Sequence, residues 1–151
     1  MNDGASAILF MTKSKANELG FLPLAEIISM SSIAISPHRM PKGPDFAALR
    51  ALERAKIDFD NINIIEINEA FAAVPLVSTL FLAGRDKGKA EAIRGKRNIN
   101  GSAIAIGHPN TASGARIIMN LMYELRRRGG GYALGAICGG LAQAEACVIE
   151  V

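Results

Sequence analysis

The stretch that decides the fold reads Asn100-Gly-Ser-Ala-Ile-Ala-Ile-Gly-His-Pro-Asn-Thr-Ala-Ser-Gly-Ala-Arg116. Its apolar run from Ala103 to Ile106 predicts a buried strand that ends at Gly107. His108 follows at once and is expected in the loop between that strand and a helix. Such loops often hold functional residues, although a single histidine there is more often structural than catalytic.

A helix is predicted from Thr111 onward, and Thr111 or Ser113 is expected to cap its first amides. The positively charged Arg126 to Arg128 then meet the negative end of the helix dipole. His108 therefore lies near a helix N-terminus, a position that favours anions. The apolar positions of this helix recur at helical spacing: Ala112, Ala115, Ile118, Met119, Met122 and Leu125.

Strand-like and helix-like segments alternate along the rest of the chain, which favours an α/β fold. The proline-rich segment Ser36 to Pro44 is expected to be a loop, and Asp45 is expected to cap the helix after it. Further helices are predicted at Lys13 to Leu19 and Ala70 to Ala83. The other predicted strands are Ala5 to Met11, Leu24 to Ile35, Asn61 to Ile67, Gly131 to Ile137 and Ala142 to Val151.

The composition indicates one compact domain over residues 1–151, because half of the residues are apolar. A net charge of +3 and few aromatic residues argue against a nucleic-acid partner. No segment approaches the length of a membrane span. Cys138 and Cys147 are the only cysteines, so we expect no disulfide framework, no zinc site and a cytoplasmic location.

Three polar groups follow predicted strands: Asn68-Glu69, His108 and Cys138. In α/β sheets the loops beyond strand ends meet in one crevice, so these side chains can be neighbours. A cysteine and a histidine together usually suggest a nucleophile and its base. With an asparagine to hold a water, a thiolate can instead act as a base toward a carbon acid.

The two cysteines have different surroundings in the sequence. Cys138 precedes two glycines, which is typical of an accessible thiol beside free backbone amides, while a buried, inert cysteine stays the alternative. Cys147 lies in an apolar run and is expected to be packed. His38 is expected to face solvent, and the basic run Arg85 to Arg97 predicts a solvated helix or loop, or else a phosphate site.

Taken together, these motifs resemble the C-terminal domain of the thiolase family over nearly the whole chain. The resemblance implies a three-layer α/β/α domain with a mixed five-stranded sheet, acting on acyl-CoA and CoA. The motif that begins with Asn68 is similar to that of the acetoacetyl-CoA and 3-ketoacyl-CoA thiolases, because its first residue is an asparagine. The matching motifs are Asn2-Asp-Gly-Ala-Ser-Ala7, Ala51-Leu-Glu-Arg-Ala55, Asn68-Glu-Ala-Phe-Ala72, Gly107-His-Pro109, Ala112-Ser-Gly-Ala-Arg116 and Cys138-Gly-Gly140.

The resemblance also implies roles for individual residues. His108 would activate the acyl-accepting cysteine and, with a water held by Asn68, stabilise the thioester oxygen. Cys138 would move the proton of the substrate α-carbon, and the Gly140 amide would donate in a second oxyanion hole. Phe71 and Met40 match positions that line the acyl and pantetheine region. Glu69 is expected to be structural or to support the residues of the site.

Thiolases have their covalent nucleophile in an N-terminal domain, so we expect this chain alone to be inactive and to need that domain or a partner subunit. The resemblance further implies a homo-oligomer that uses no metal or resident cofactor. Thr111 stands where the family usually has a glycine, and the loop Gly139 to Gln143 has fewer glycines than is usual in the family. The region around Arg85 to Arg97 is also longer than usual.

Two other functions stay open on the sequence alone. The chain could be a non-catalytic, truncated or split thiolase half that serves as an interaction or dimerisation module. It could also be a free CoA-binding protein, a hypothesis that rests only on the basic run.

Overall fold

A four-stranded mixed sheet organises the chain in the computed structural model, which describes residues 2–151. Short 3₁₀ turns lie at Pro37–Lys42, Phe59–Asn61, Asn110–Ala112 and Gly140–Ala142. The helices and strands in chain order are α1 (Lys13–Glu18), β1 (Glu26–Ala34), α2 (Gly43–Ala55), β2 (Ile62–Ile67), α3 (Ala73–Leu82), α4 (Lys87–Gly95), α5 (Ala103–Ile106), α6 (Ser113–Arg128), β3 (Tyr132–Cys138) and β4 (Gln143–Glu150).

The strands lie in the order β1-β4-β3-β2. β3 pairs antiparallel with β4, and β4 pairs antiparallel with β1, while β2 and β3 are parallel. Two parallel neighbours cannot be joined by a hairpin, so the chain crosses over between them through α3, α4, α5 and α6. The carboxyl ends of β2 and β3 consequently lie at the same edge of the sheet.

Helices cover both faces of this sheet, which confirms the three-layer α/β/α architecture. α2 packs its small side chains Ala47, Ala48 and Ala51 against one face, in a core that also includes Val74 of α3 and Ile93 of α4. α6 covers the other face, because Ile117, Leu121 and Leu125 recur at intervals of four along one side of it. β2 serves both cores: Ile65 and Ile67 belong to the first, and Ile64 to the second.

The prediction of five strands is wrong, since the sheet has four. The predicted strand Ala5 to Met11 has no strand partner within residues 2–151 and is largely exposed. Leu9 is 78% exposed and Phe10 is 60% exposed. An alternating or apolar pattern gives a segment strand propensity, but a strand forms only where a neighbour can accept its backbone hydrogen bonds.

Ala103 to Ile106 was expected to be a strand and is instead the helical turn α5. Its amides bond locally, Ile106 to the carbonyl of Ser102 at 3.0 Å and Gly107 to that of Ala103 at 3.0 Å. A run of four apolar residues has the same pattern in a short helix and in a buried strand, so periodicity cannot separate them. The strands predicted over β1, β2, β3 and β4 and the helices over α1, α3 and α6 are confirmed.

Asp45 does not cap α2, which begins two residues earlier at Gly43 with Lys42 at the N-cap position. The segment expected to be a loop therefore holds a 3₁₀ turn and the first residues of this helix. The Asp45 carboxyl is buried, and its Oδ1 has no hydrogen-bond partner within residues 2–151. Burial raises the pKa of Asp45 to about 6, against weaker stabilisation of the charge by its own backbone amide and by Lys42.

Asp45→Asn is expected to stabilise the protein at pH 8 by about 2 kcal/mol. A raised carboxyl pKa means that the folded protein binds the proton more tightly than the unfolded chain does. Asp45 therefore lowers stability progressively as the pH rises from about 4 through about 6, and its full cost persists above that range. Urea unfolding of both proteins at several pH values measures the difference.

The exposed residue Asp3 offers a matched control, because Asp3→Asn removes an equivalent charge without a burial penalty. A gain from Asp45→Asn that is the same at pH 4.5 and at pH 8 would contradict the assignment.

Candidate active site

The ends of β2 and β3 bring two of the predicted site residues to the same edge of the sheet. Asn68 directly follows β2, and its backbone amide donates to the carbonyl of Ala136 in β3 at 2.9 Å. Cys138 is the last residue of β3. The parallel register, with Ile67 opposite Ala136, continues to these positions. Asn68 and Cys138 thus share one edge of the sheet, as the spacing of the motifs predicts.

His108 reaches this region through the start of α6. Its Nδ1 lies 2.6 Å from the hydroxyl oxygen of Ser113, the first residue of α6. The expected capping by Thr111 or Ser113 is wrong, because Ala112 is at the N-cap position and no side chain caps this end. The buried Ser113 hydroxyl holds the imidazole instead. One ring nitrogen is therefore engaged by the protein, and Nε2 is the nitrogen left for chemistry.

Two further charged residues tie α6 to the end of β2. Arg116 forms an ion pair with the buried carboxylate of Glu66, and its Nη2 donates to Asn68 Oδ1 at 3.5 Å. Burial raises the pKa of Glu66, while the charge and hydrogen bond of Arg116 oppose that rise. Sequence reasoning assigned no role to either residue. The available signal was a glutamate inside the apolar strand Ile62–Ile67, which is rarely buried without a partner.

The side-chain amide of Asn68 is completely buried. Its Nδ2 has no hydrogen-bond partner within residues 2–151. A buried donor without an acceptor destabilises a protein by about 1–3 kcal/mol, so such groups in folded proteins usually have a ligand or an ordered water as their acceptor. The Asn68 Nδ2 hydrogens are therefore available to an acceptor that is not among residues 2–151.

Of the two alternatives for Cys138, the structure shows the buried one, with 8% of the residue exposed. Burial raises the pKa of the Cys138 thiol, so the neutral thiol is the prevailing form at neutral pH. Cys147 is packed in the core between the sheet and α6, as expected, and burial raises its pKa to about 11.

The loop after Cys138 adopts left-handed backbone at residues that are not glycine. Leu141 has φ 57° and Ala142 has φ 61°. Each non-glycine residue in this conformation costs roughly 1–2 kcal/mol. Gly140 is exposed, with open space where a Cβ would be. The residues that replace glycine in this loop therefore strain its backbone. Thr111, in contrast, lies in a 3₁₀ turn and not among the residues with positive φ.

Leu141→Gly is expected to raise the free energy of unfolding by about 0.5 kcal/mol. The relief of left-handed strain exceeds the entropy that glycine adds to the unfolded chain, and the 88% exposed side chain contributes little packing. Denaturant unfolding measures the change. Leu49→Gly in α2 is the matched control and should lose about 1 kcal/mol, because glycine weakens an ordinary helical position. An equal loss from both variants would contradict the strain at Leu141.

The predicted substrate-lining residues differ in exposure. Phe71, three residues after Asn68, is 62% exposed. Met40 is half-buried and packs against the larger core, in a turn that contacts the Gly140–Ala142 turn. Glu69 is structural in this chain: its carboxylate accepts from the Ile104 amide at 3.1 Å and pairs with Arg97 at 3.5 Å, which holds α5 against the end of β2.

Other expectations concern the surface. Most of the basic run forms α4, whose lysines are exposed, as expected of a solvated helix, whereas Arg97 at the end of the run is largely buried and pairs with Glu69. His38 is exposed as well. Within residues 2–151 no group of three or more histidine, cysteine or acidic side chains is arranged to hold a metal ion. Across the same residues, none of the helices has both the length and the apolar character that crossing a membrane requires.

Comparison with known proteins agrees with this geometry. Residues 21–151 match the family model described as "Thiolase, C-terminal domain". The chain belongs to the thiolase family. It is 43% identical over 150 residues to an acetyl-CoA acetyltransferase of Syntrophomonas wolfei, and 41% identical over 160 residues to a 3-ketoacyl-CoA thiolase of Alteromonas mediterranea.

Solved thiolase structures have the same fold. The crystal structure of the Bacillus anthracis acetyl-CoA acetyltransferase matches 93% of this chain with a TM-score of 0.83 and 37% identity, and 34% of that chain is covered. Human mitochondrial 3-ketoacyl-CoA thiolase matches 92% of this chain with a TM-score of 0.82 and 37% identity, and 33% of that chain is covered.

The thiolase relatives are much longer than this chain. The match covers 99% of the chain but only 36% of the Syntrophomonas protein and 37% of the Alteromonas protein. The chain thus spans about a third of the length of the curated thiolases that it matches, at the C-terminal domain.

Proposed function

We propose that this chain provides the acid–base and oxyanion-binding groups of a thiolase that transfers acetyl groups between acetoacetyl-CoA and CoA. The observation that supports this most strongly is the buried Nδ2 of Asn68, which has no partner within residues 2–151. It lies at the shared edge of β2 and β3, beside the helix whose first residue holds His108. A preorganised donor of this kind favours a reaction in which negative charge develops on an oxygen.

In the condensation direction, the acyl group is held as a thioester on a cysteine of the N-terminal domain. Cys138 gives its thiol proton to the CoA thiolate that leaves when the enzyme cysteine is acylated, and the resulting Cys138 thiolate takes a proton from the α-carbon of acetyl-CoA. The resulting enolate forms a carbon–carbon bond with the thioester carbonyl, and the carbon–sulfur bond to the enzyme breaks. Cleavage is the reverse, in which the Cys138 thiol returns the proton. Burial, which raises its pKa, makes the Cys138 thiolate a stronger base once formed.

His108 and Asn68 act on the oxygen of the acyl thioester. The buried Ser113 hydroxyl orients the imidazole, so that Nε2 exchanges a proton with the acyl-accepting cysteine. Asn68 Nδ2 donates to a water or directly to the thioester oxygen as that oxygen gains charge. Gly140, with open space around it, provides a backbone amide for the second substrate. Phe71 and Met40 line the approach of its acyl and pantetheine groups.

We expect His108→Ala and Cys138→Ala each to lower kcat at least ~100-fold in a protein that joins this chain to a nucleophile-bearing thiolase N-terminal domain. The assay follows the loss of acetoacetyl-CoA with CoA as cosubstrate. His38→Ala and Cys147→Ala are matched controls, because they change the chain's other histidine and other cysteine. Normal turnover by either site variant would rule out the role assigned to that residue.

A non-catalytic docking function is the second candidate, and exposed apolar side chains favour it. Leu9 and Phe10 in the extended N-terminal segment are exposed, as are Ile104 and Ile106 in α5, the helical turn before His108. Exposed apolar side chains that form a contiguous patch usually mark an interface. We propose that a thiolase N-terminal domain, or a second copy of the chain, covers them.

Sedimentation of the chain alone, and of the chain mixed with a thiolase N-terminal domain, tests this docking. We expect association in at least one of the two samples, weakened by Leu9→Ser with Phe10→Ser. The control Leu141→Ser changes a comparably exposed leucine in the loop after Cys138. A monomer in both samples would argue against docking through this surface. Docking without any turnover would favour the non-catalytic function.

A further inference from the structure

The amide of Asn68 has two different environments. On the side of α6, its Oδ1 accepts from Arg116 Nη2 at 3.5 Å. On the other side, its Nδ2 is buried with no acceptor within residues 2–151. Half a turn of the Asn68 side-chain amide would exchange the positions of Oδ1 and Nδ2 with almost no change in shape. Something in the chain must therefore determine which atom faces the site.

Arg116 is able to make that choice, because a guanidinium has donors and no acceptor. It binds the oxygen of an amide and repels its NH₂ group. Turning the amide over would bring two sets of donors together and would present Oδ1 to the site. An oxygen there would repel a substrate oxygen that gains negative charge, whereas Nδ2 stabilises it.

Arg116 is itself fixed by β2. It forms an ion pair with Glu66, which precedes Asn68 by two residues and so lies on the same face of the strand. The side chain of Glu66 is 4% exposed. Its carboxylate also accepts from the Ser102 hydroxyl at 3.1 Å and from Asn120 Nδ2 at 3.5 Å. The guanidinium is therefore held relative to the strand end that presents Asn68.

We propose that Arg116, held by the buried carboxylate of Glu66, is a positioning residue that keeps Asn68 Oδ1 toward α6 and Nδ2 toward the reacting thioester oxygen. The inference rests on the proposed function and adds the groups that orient its donor. Arg116 does not touch the substrate in this arrangement. Its effect on the reaction passes entirely through the amide of Asn68.

Arg116→Lys is the discriminating variant. Lysine keeps the positive charge next to Glu66, but it has one ammonium in place of the planar pair of nitrogens that reaches both Glu66 and Asn68. Arg94→Lys is the matched control, since Arg94 also joins two partners, Glu91 through Nη1 at 2.9 Å and Thr79 through Nε at 3.3 Å, but contacts no residue of the proposed site. Both variants are made in the protein joined to a nucleophile-bearing N-terminal domain. Thermal unfolding by circular dichroism establishes that each one folds.

We expect Arg116→Lys to lower kcat about 10-fold with KM for acetoacetyl-CoA unchanged, because the donor is displaced while substrate binding is intact. In an Asn68→Ala background the same change should have no further effect on kcat. A kcat equal to that of the wild type would overturn the proposal. So would effects of the two substitutions that multiply, since Arg116 would then act independently of Asn68. If Arg116→Lys does not fold, Glu66→Gln replaces it, with the same expected outcomes.

A second measurement does not depend on turnover. The carbonyl carbon of the Asn68 side chain, observed by NMR in the chain of residues 1–151, should shift in Arg116→Lys and not in Arg94→Lys. No shift in Arg116→Lys would overturn the proposal even in an active enzyme. A shift without any activity of the wild-type joined protein would contradict the proposed function and leave the orienting contact established.

Discussion

The parallel pairing of β2 with β3 is the constraint on which the rest of the structure depends. Because parallel neighbours cannot be joined by a tight turn, the chain between them must cross the face of the sheet. That crossover includes α6, whose first turn contacts His108 through Ser113 and Asn68 through Arg116. The pairing also places Asn68 and Cys138 at one edge. This one connection therefore links the strand end that presents Asn68 to the helix whose first residue binds His108.

The site is held by buried polar contacts more than by apolar packing. Glu66 and Arg116 form a buried ion pair, Ser113 binds His108, and Glu69 holds α5 by its carboxylate. Ion pairs that leave water gain little net stability unless their remaining donors and acceptors are satisfied, but they restrict geometry strongly. Here the restriction acts on the amide of Asn68. Its Nδ2 has no partner in the part of the chain that the structure describes, and functional sites commonly give up stability in this way.

The loop after Cys138 has a different kind of constraint. Leu141 and Ala142 hold left-handed backbone without glycine, although both termini of this loop are fixed by the antiparallel pairing of β3 with β4. The hydrogen bonds of that hairpin, including Gly139 to Gln143 at 2.8 Å, keep the strained conformation in place. Strain at such a position is typical of functional loops, because the surrounding structure determines the backbone more strongly than local preference does.

Much of the fold could be predicted because the residue pattern of a long periodic segment identifies its secondary structure. The apolar spacing of α6 and the apolar runs of β2, β3 and β4 identified those elements, and the alternation of helices with strands indicated the α/β class. Short segments were harder. The four residues of α5 have the same apolar pattern as a buried strand, and Asp45 has a capping residue type but lies two residues after the helix begins. Local patterns alone do not resolve such cases.

The sequence by itself determined the family-specific motifs, the separate identities of Asn68, His108 and Cys138, and the glycine losses that strain the last loop. Only the tertiary structure decided that Ala5 to Met11 has no strand partner within residues 2–151, that Cys138 is buried, and that Arg116 contacts both Glu66 and Asn68. The physical reason is the range of the interactions. Propensity and periodicity act over a few neighbouring residues, whereas burial and ion pairing join residues that are 50 positions apart.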